Sequence, residues 1–322
     1  MEKNTNLDMP PREPSRDYQH LPVMLEKTIE YLVTDQHGIY VDATFGRGGH
    51  STAILNNLSP KGKLISIDKD REAYQVALDI SQQDSRLIPK HGSFTKIKNW
   101  MEELNYQGKV SGILMDLGVS STQLDNPNRG FSFNLNGPLD MRMNQEQTFN
   151  ARDWINHAGE TAIQKVFWEY GEERFSRRLA KSIIKERAQT PINTTKELAE
   201  IIAKAHPRWE KHKHPATRAF QAIRILINNE LAELEDSLEQ TLEALKINGR
   251  IALISFHSLE HQKIKNFIKK HTGASKPNRL PVTDQELNKR LKLLFRTNTS
   301  TDEIAANRRS RSAVLRVLEK TK

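Results

Sequence analysis

Acidic and histidine side chains stand where several apolar runs of this chain end. Asp68, Asp116 and His257 each end or directly follow such a run, and Gly46–His50 and His91–Phe94 stand at the ends of two others. In an open sheet of parallel strands, ligands bind beyond the carboxyl ends of the strands, near the point where the strand order reverses. The sequence therefore predicts that these residues converge on one ligand pocket.

The glycine-rich turn narrows the choice of ligand. Asp42 opens an acid-x-x-x-Gly-x-Gly pattern that runs to Gly48, and Asp68 lies 22 residues after Gly46. Glycines let the backbone turn tightly beside a helix N-terminus, and an acid at this separation suits ribose hydroxyls. A dinucleotide fingerprint needs Gly or Ala where this chain has Ser51. The pattern therefore favours S-adenosylmethionine over a nicotinamide dinucleotide, and a capped turn without a ligand is the alternative.

Two histidine patterns bear on metal binding. His257–His261 (HSLEH) fits the His-x-x-Glu-His metalloprotease pattern, but that site needs both histidines on one helix and His257 directly follows a predicted strand. His212 and His214 lack partner ligands. The chain has no cysteine, which excludes thiolate metal sites and a cysteine nucleophile. We expect no metal, and we expect His257 near the substrate or cofactor.

The charge distribution points to a polyanionic partner. The formal net charge is +9, and the segment 262–322 has nine lysines and seven arginines against five acids, a net of +11 that leaves −2 elsewhere. This segment is predicted to contact the phosphates of such a partner. Arg208–His214 (RWEKHKH) is typical of either an RNA-contacting surface or a solvated loop. Arg218 and Arg224 are predicted to contact phosphate or to snorkel at a helix edge.

The elements that position these residues alternate along the chain. β-rich runs separated by segments of helical periodicity are typical of a parallel sheet covered on both faces. The predicted strands are 39–44, 63–68, 86–91, 111–117 and 250–256, with 313–318 as an edge strand. A helix over 20–32 is predicted before the first strand, and the predicted helices between the strands are 51–58, 71–80 and 94–104.

More than 130 residues separate the fourth and fifth predicted strands. Apolar residues three or four apart from Phe220 to Leu245 predict one continuous helix that Gly249 ends. The preceding part has helical pattern and a helix start signal at Asn193–Glu197. We therefore predict a tail over 1–17, a sheet domain over 18–143 and 215–322, and a helical domain over 144–214 inserted into it. The tail has no apolar stretch, and no run reaches the roughly 18 residues of a membrane span, so a cytoplasmic protein is expected.

From residue 20 onward the chain resembles the ribosomal RNA small subunit methyltransferase H family. The sequence words that carry the resemblance stand in the family's order and are too long to match by chance. They are 20–25 (HLPVML), 42–51 (DATFGRGGHS), 116–121 (DLGVSS), 129–133 (RGFSF), 137–143 (GPLDMRM), 170–175 (YGEERF), 214–224 (HPATRAFQAIR) and 255–260 (SFHSLE). One departure is Arg308, which stands where the family usually has proline.

The resemblance implies an α/β fold, a Rossmann-like class I methyltransferase sheet with an inserted helical domain. It also implies S-adenosylmethionine-dependent methylation of N4 of a cytidine in the decoding region of 16S rRNA, within the small ribosomal subunit. By motif position, Asp68 would bind the cofactor's ribose and Phe94 would line its adenine side. The other residues carried over to the cofactor site are Gly48, Gly49, His50, Asp116 and Gln123.

The chemistry requires help for a poor nucleophile, because the lone pair of a cytosine amine is delocalised into the ring. An enzyme helps by accepting hydrogen bonds from the amine, aligning it with the methyl group and excluding water. Asp116 is the candidate catalytic residue near this amine. Phe131 and Phe133 are candidates to stack on the extruded base, and packing within their loop is the alternative. A dehydrogenase, disfavoured by Ser51, and a non-catalytic RNA-binding assembly factor are the competing functions.

Overall fold

The computed structural model describes residues 22–209, 214–273 and 289–322. Within these residues the strands form one sheet of seven. The strands are β1 (Ile39–Asp42), β2 (Lys63–Asp68), β3 (Leu87–His91), β4 (Val110–Asp116), β5 (Leu245–Ser255), β6 (Leu291–Asn298) and β7 (Val314–Lys320). The five strands predicted at the centre are thus confirmed to within a few residues, except that β5 begins earlier.

The strand order is β3-β2-β1-β4-β5-β7-β6, and β7 runs antiparallel to both of its neighbours. This is the Rossmann-like order of class I methyltransferases, so the predicted fold class is confirmed. The central strands are buried on both faces, as the apolar residues of β4 require. The order reverses between β1 and β4, which places a ligand-binding crevice beyond their carboxyl ends.

Helices cover both faces of the sheet and also form a separate group. Those that precede the separate group in the chain are α1 (Leu25–Leu32), α2 (Gly49–Asn56), α3 (Arg71–Gln83), α4 (Ile97–Glu103) and α5 (Ser121–Asp125). The later ones are α10 (Ala216–Ile227), α11 (Glu230–Ala244), α12 (Ser258–His271) and α13 (Thr301–Ala306). One face packs on α4, α11 and α12, and the other packs on α1 and α2.

The interruption between β4 and β5 is helical, as predicted. It contains α6 (Ala151–His157), α7 (Glu160–Glu169), α8 (Ser176–Arg187) and α9 (Thr195–Ala205). The start signal is confirmed, because Thr194 and Glu197 form a capping box at the beginning of α9. These helices share an apolar cluster with α10 and with the loop that contains Phe131. The domain division at residues 144 and 214 stays a prediction.

The single long helix predicted over Phe220–Leu245 is wrong. Asn228 and Asn229 separate α10 from α11, and Asn229 takes a left-handed conformation with φ of 51°. Asn tolerates this conformation better than most residues, so the apolar spacing continues while the backbone turns. Gly249 does not end the helix either, since α11 ends at Ala244 and Gly249 lies in an irregular part of β5.

The predicted edge strand at 313–318 is real but is not at the edge. It forms β7, which lies between β5 and β6 and is buried over most of its length. The edge strand is β6, and it was missed because its mixed sequence LKLLFRTN is only partly buried and gives no strong apolar pattern. Charged residues on an exposed edge strand prevent unwanted pairing with other chains.

Candidate functional site: a polar cavity at the carboxyl edge of the sheet

A cavity of about 450 Å³ lies where the strand order reverses. Its walls come from the segments that follow β1, β2, β3, β4 and β5, as the sequence predicts for a ligand pocket. The predicted site residues among its walls are Gly49, His50, Asp68, Phe94, Asp116 and Gln123. Gly48, His91 and His257, which were also predicted to converge here, are not among the wall residues, so the prediction is wrong for these three. The structure thus brings the wall residues together, while the role of each stays a prediction.

The glycine turn after β1 is shaped by close packing. Gly46 and Gly48 have φ of 58° and 80°, and a Cβ on Gly48 would lie 2.7 Å from the ring of Phe45. Asp42 is buried, and its carboxylate accepts hydrogen bonds from Ser51 Oγ at 2.7 Å and from the amide of Thr44 at 3.1 Å. Burial raises the pKa of Asp42 to about 6. Asp42 therefore anchors the first turn of α2 from behind the cavity.

Asp68 ends β2 and faces the cavity. Its two oxygens accept hydrogen bonds from the amides of Gly46 and Asp70, both at 2.8 Å. Burial raises the pKa of Asp68 to about 6, and the two backbone hydrogen bonds act against this rise. The carboxylate is held in one orientation by the backbone, and each oxygen retains a second lone pair for a ligand hydroxyl.

Asp116 and His50 form a buried pair at the back of the cavity. His50 Nε2 lies 3.1 Å from the carbonyl of Val23, so the proton is assigned to Nε2 and Nδ1 is left as an acceptor. Nδ1 lies 3.8 Å from Asp116 Oδ2, which is too long for a hydrogen bond. Burial lowers the pKa of His50 to about 4, so its ring is neutral at neutral pH.

Asp116 carries the strongest electrostatic signal of the site. About a quarter of its side chain, 24%, faces the cavity. Burial, and then the charges of Asp42 and Glu260, raise its pKa well above the usual range for a carboxyl group. Its Oδ1 has no hydrogen-bond partner among the described residues. This oxygen is itself closed off from solvent, so leaving it without a partner costs stability.

The wall beyond β4 and β5 contains one residue whose contacts differ from the prediction and one that was not predicted to lie there. Arg224 was expected to contact phosphate or to snorkel, but it makes two hydrogen bonds of 2.8 Å to Glu230 in the cavity wall. Glu260 was missed; it is buried, and its Oε1 lies 3.0 Å from Nε2 of His257. Burial alone would raise the pKa of Glu260, but His257, Arg224 and the amide of Phe256 together lower it.

The histidine pattern HSLEH is divided between two environments. His257 is the N-cap of α12, whereas Nδ1 of His261 lies 2.7 Å from Ser255 Oγ. Possible ligand atoms of Glu230, His257 and Glu260 lie within 4.8 Å of one another. Glu230 is already paired with the guanidinium of Arg224. That the protein binds no metal stays a prediction, and His212 lies outside the described residues.

The two candidate stacking phenylalanines lie in the helical cluster. Phe131 is buried there, which favours the packing alternative for it. Phe133 is partly buried, with its ring centroid 5.0 Å from that of Phe220 and 4.7 Å from that of His214. Of the word RWEKHKH, residues 208, 209 and 214 are described. Trp209 is exposed, and its ring contacts the ring of His214 edge-on. A stacking role stays a hypothesis for Phe133.

A basic turn from the C-terminal segment lies at the rim of the cavity. Asn307 and Arg309 contribute to its wall, and Arg309 pairs with Asp125 of α5. Arg308 begins a short 3-10 helix, Arg308–Ser312, in which it and Arg311 are exposed. Proline is tolerated at the first position of a helix, so this turn is compatible with either residue. The part of the basic segment at 274–288 lies outside the described residues.

The sheet order and this cavity define an α/β protein of the class I methyltransferase type. A family model described as the MraW methylase family matches residues 17–321. A protein of Legionella pneumophila named Ribosomal RNA small subunit methyltransferase H is 51% identical over 304 residues, covering 94% of this chain and 99% of that protein. A Coxiella burnetii protein of the same name is 47% identical over 302 residues, covering 94% and 98%. The chain belongs to this methylase family.

Two solved structures are similar at a lower level. One is an rRNA methylase from Streptococcus thermophilus, with 12% identity, a TM-score of 0.41 and coverage of 92% of this chain and 93% of that one. The other is a Streptococcus mutans protein in complex with SAH, with 13% identity, a TM-score of 0.43 and coverage of 92% and 96%. Across the residues that the structure describes, the helices are too short or too polar to cross a lipid bilayer.

Proposed function

We propose that this protein binds S-adenosylmethionine in the cavity and methylates N4 of a cytidine in the decoding region of 16S rRNA, within the small ribosomal subunit in the cytoplasm. Family membership supports the proposal, and one structural observation carries it. The cavity brings Asp68, Phe94 and Asp116 together where the strand order reverses, and the pKa values of the two carboxyl groups are raised. Buried carboxyl groups of this kind suit a ligand that brings hydroxyl groups and a positive charge.

The walls fit the parts of this cofactor separately. Asp68 is placed to accept hydrogen bonds from ribose hydroxyls, and Phe94 offers an apolar ring to the adenine. Gly49 and His50, at the start of α2, and Gln123, in α5, close the remaining side. S-adenosylmethionine supplies an electrophilic methyl group when it is bound. Because the third position of the dinucleotide fingerprint holds Ser51, which donates to Asp42, and not Gly or Ala, the turn does not suit a pyrophosphate.

Asp116 is proposed to act on the cytosine amine. Beside the positive charge that the cofactor would bring, Asp116 ionises despite its raised pKa. Its carboxylate then accepts a hydrogen bond from N4, which fixes the amine in the orientation for attack, and takes the proton that N4 loses. Neutral His50 presents the Nδ1 lone pair to the same carboxyl group and so adds no positive charge beside it. Glu260, Arg224 and Glu230 form the charged wall next to Asp116. Their charges lie on the side of the cavity that is proposed to receive the base.

The rRNA backbone is proposed to lie along the basic rim. Arg308 and Arg311 are exposed beside the cavity wall that Arg309 forms. Arginine binds phosphate with two parallel hydrogen bonds, and each phosphate contact makes binding weaker as salt rises. This arrangement would hold the nucleotides on either side of the target while the base enters the cavity.

The test is methyl transfer to small ribosomal subunits and to deproteinised 16S rRNA, followed by mass spectrometry of the nucleosides. The proposal expects N4-methylcytidine and cofactor binding measurable by calorimetry. Cofactor binding separates this function from a non-catalytic assembly factor, and a preference for NAD would support the dehydrogenase alternative. The absence of N4-methylcytidine from both substrates would overturn the proposed function.

A further inference from the structure

A buried arginine lies behind the cavity and outside its walls. Arg129 is 2% exposed, and its Nη1 donates to Asp70 Oδ2 at 2.7 Å. Its Nη2 donates to the carbonyl oxygens of Arg142 at 3.1 Å and Met143 at 3.0 Å. Its Nε has no hydrogen-bond partner among the described residues. A buried ion pair with an unsatisfied donor is a poor way to stabilise a fold, so its presence calls for another explanation.

The contacts of Arg129 continue into a closed circuit. The amide of Met143 donates to Asn228 Oδ1 at 2.7 Å, and Asn228 Nδ2 donates to the carbonyl of Met141 at 2.8 Å. The carbonyl of Asn228 accepts from Lys69 Nζ at 3.1 Å, and Lys69 precedes Asp70 in the chain. We call Arg129, Met143, Asn228, Lys69 and Asp70 the polar ring.

The polar ring connects different sides of the cavity: Lys69, Asp70 and Met143 are wall residues, and Arg129 and Asn228 lie behind them. Lys69 and Asp70 follow Asp68, the candidate ribose acid, and Asp70 Oδ2 also accepts from Gln123 Nε2 at 2.7 Å. Asn228 stands at the break between α10 and α11, four residues after Arg224 of the charged wall. The helix α10 packs within the apolar cluster of the inserted helices. The ring therefore joins the cofactor side of the cavity to the helix that connects it with the insertion.

We propose that Arg129 is a positioning residue that couples occupancy of the cofactor side to the placement of α10, which carries Arg224 on the side of the cavity proposed to receive the target base. The inference rests on the proposed function. A ligand on Asp68 restrains the adjoining turn at Lys69 and Asp70. Because Arg129 and Asn228 link that turn to α10, the restraint is passed to the side of the cavity that receives the target nucleotide. By linkage, RNA then tightens cofactor binding by the same factor.

The test measures small-subunit binding with and without S-adenosylhomocysteine, which occupies the cofactor site without reacting. The wild-type protein is expected to bind subunits about tenfold more tightly with this ligand. Arg129→Lys keeps the charge and a contact with Asp70, but a single ammonium cannot also hold both carbonyls as the planar guanidinium does. We expect the variant to bind each ligand alone within about threefold of wild type, and the tenfold enhancement to fall to less than twofold.

Two further variants separate coupling from stability. Arg86→Gln removes an arginine that pairs with Asp84 away from the cavity, so it should lower the melting temperature and leave the tenfold enhancement intact. If Arg129→Lys folds poorly, the double variant Arg129→Gln with Asp70→Asn replaces the buried charges by an amide pair, and it too should lose the enhancement. A wild-type protein that methylates rRNA but shows no enhancement, or an Arg129 variant that keeps it, would overturn the inference. Failure of the wild type to methylate at all would instead reject the proposed function.

Discussion

The helical cluster of the insertion and the surroundings of the cavity differ in what they bury. The cluster contains buried apolar residues from α6 to α10, and its charged residues are mostly at the surface. Around the cavity, by contrast, Asp42, Arg129 and Glu260 are buried at 1%, 2% and 3% exposure. Burial of apolar groups stabilises the cluster, whereas burial of charge destabilises the apo cavity and prepares it for a ligand. Stability and function therefore reside in different regions.

The largest effect is expected from breaking the helical cluster at its centre. Phe167 of α7 is fully buried, so Phe167→Ala should lower the free energy of unfolding by about 3–5 kcal/mol through the lost burial and the cavity left behind. Urea denaturation followed by circular dichroism measures the change. Below the midpoint, cofactor affinity should stay within about threefold of wild type. The neighbouring Trp168, 59% exposed, is the control, and Trp168→Ala should cost less than about 0.5 kcal/mol.

The cavity should respond in the opposite way. Asp116→Asn removes the proposed proton acceptor, so turnover at saturating cofactor should fall by about a hundredfold or more. The free energy of unfolding should not fall, because the neutral amide replaces a carboxyl group whose charge is disfavoured by burial. Asp79→Asn, on the exposed side of α3, should leave turnover unchanged. An Asp116→Asn enzyme with near wild-type turnover would show that this acid is not catalytic.

A smaller effect is expected from the pH dependence of the ribose side. With the pKa of Asp68 raised to about 6, the free carboxyl group changes from mostly protonated at pH 5 to mostly ionised at pH 7. Its contribution to the stability of the apo protein is full below its ordinary pKa and is lost as the pH rises through about 6. Cofactor affinity should rise about tenfold over the same interval, because the ionised carboxylate is the better acceptor. Calorimetry should show this step in wild type and a flat profile in Asp68→Asn.

The mildest change concerns the rim. Replacing both Arg308 and Arg311 by Gln removes two exposed guanidinium groups while leaving Arg309 and its pair with Asp125 in place. The slope of the logarithm of RNA affinity against the logarithm of salt should become shallower by about one to one and a half. Cofactor affinity should not change. Lys61→Gln is the control, because Lys61 precedes β2 and so lies at the amino end of the strands, opposite the cavity. An equal change in the salt slope for Lys61→Gln would mean that the effect does not depend on where the charge is removed.

Sequence patterns predicted the residues that line the cavity better than the buried residues that hold those in place. Asp68 and Asp116 could be found because each ends an apolar strand, and strand ends of a parallel sheet meet at one edge. Arg129 and Asp70 gave no such signal, since a buried ion pair between residues 59 positions apart leaves no local pattern. Arg224 was misplaced for a related reason. Its place on a helix predicts a surface cation, and only the break at Asn228 and Asn229 brings Glu230 back onto it.

Apolar runs, turn residues and motif order thus determined by themselves the class of fold, the order of the central strands along the chain, the family and the location of the ligand cavity. These features depend on contacts between near neighbours in sequence, or on the alternation of strand and helix. Tertiary structure alone decided that β7 is inserted between β5 and β6, that the apolar stripe from Phe220 to Leu245 is two helices, and that Asp116 has a raised pKa. Each of these depends on burial and on partners distant in the chain, and burial sets the energy of a charge far more than residue type does.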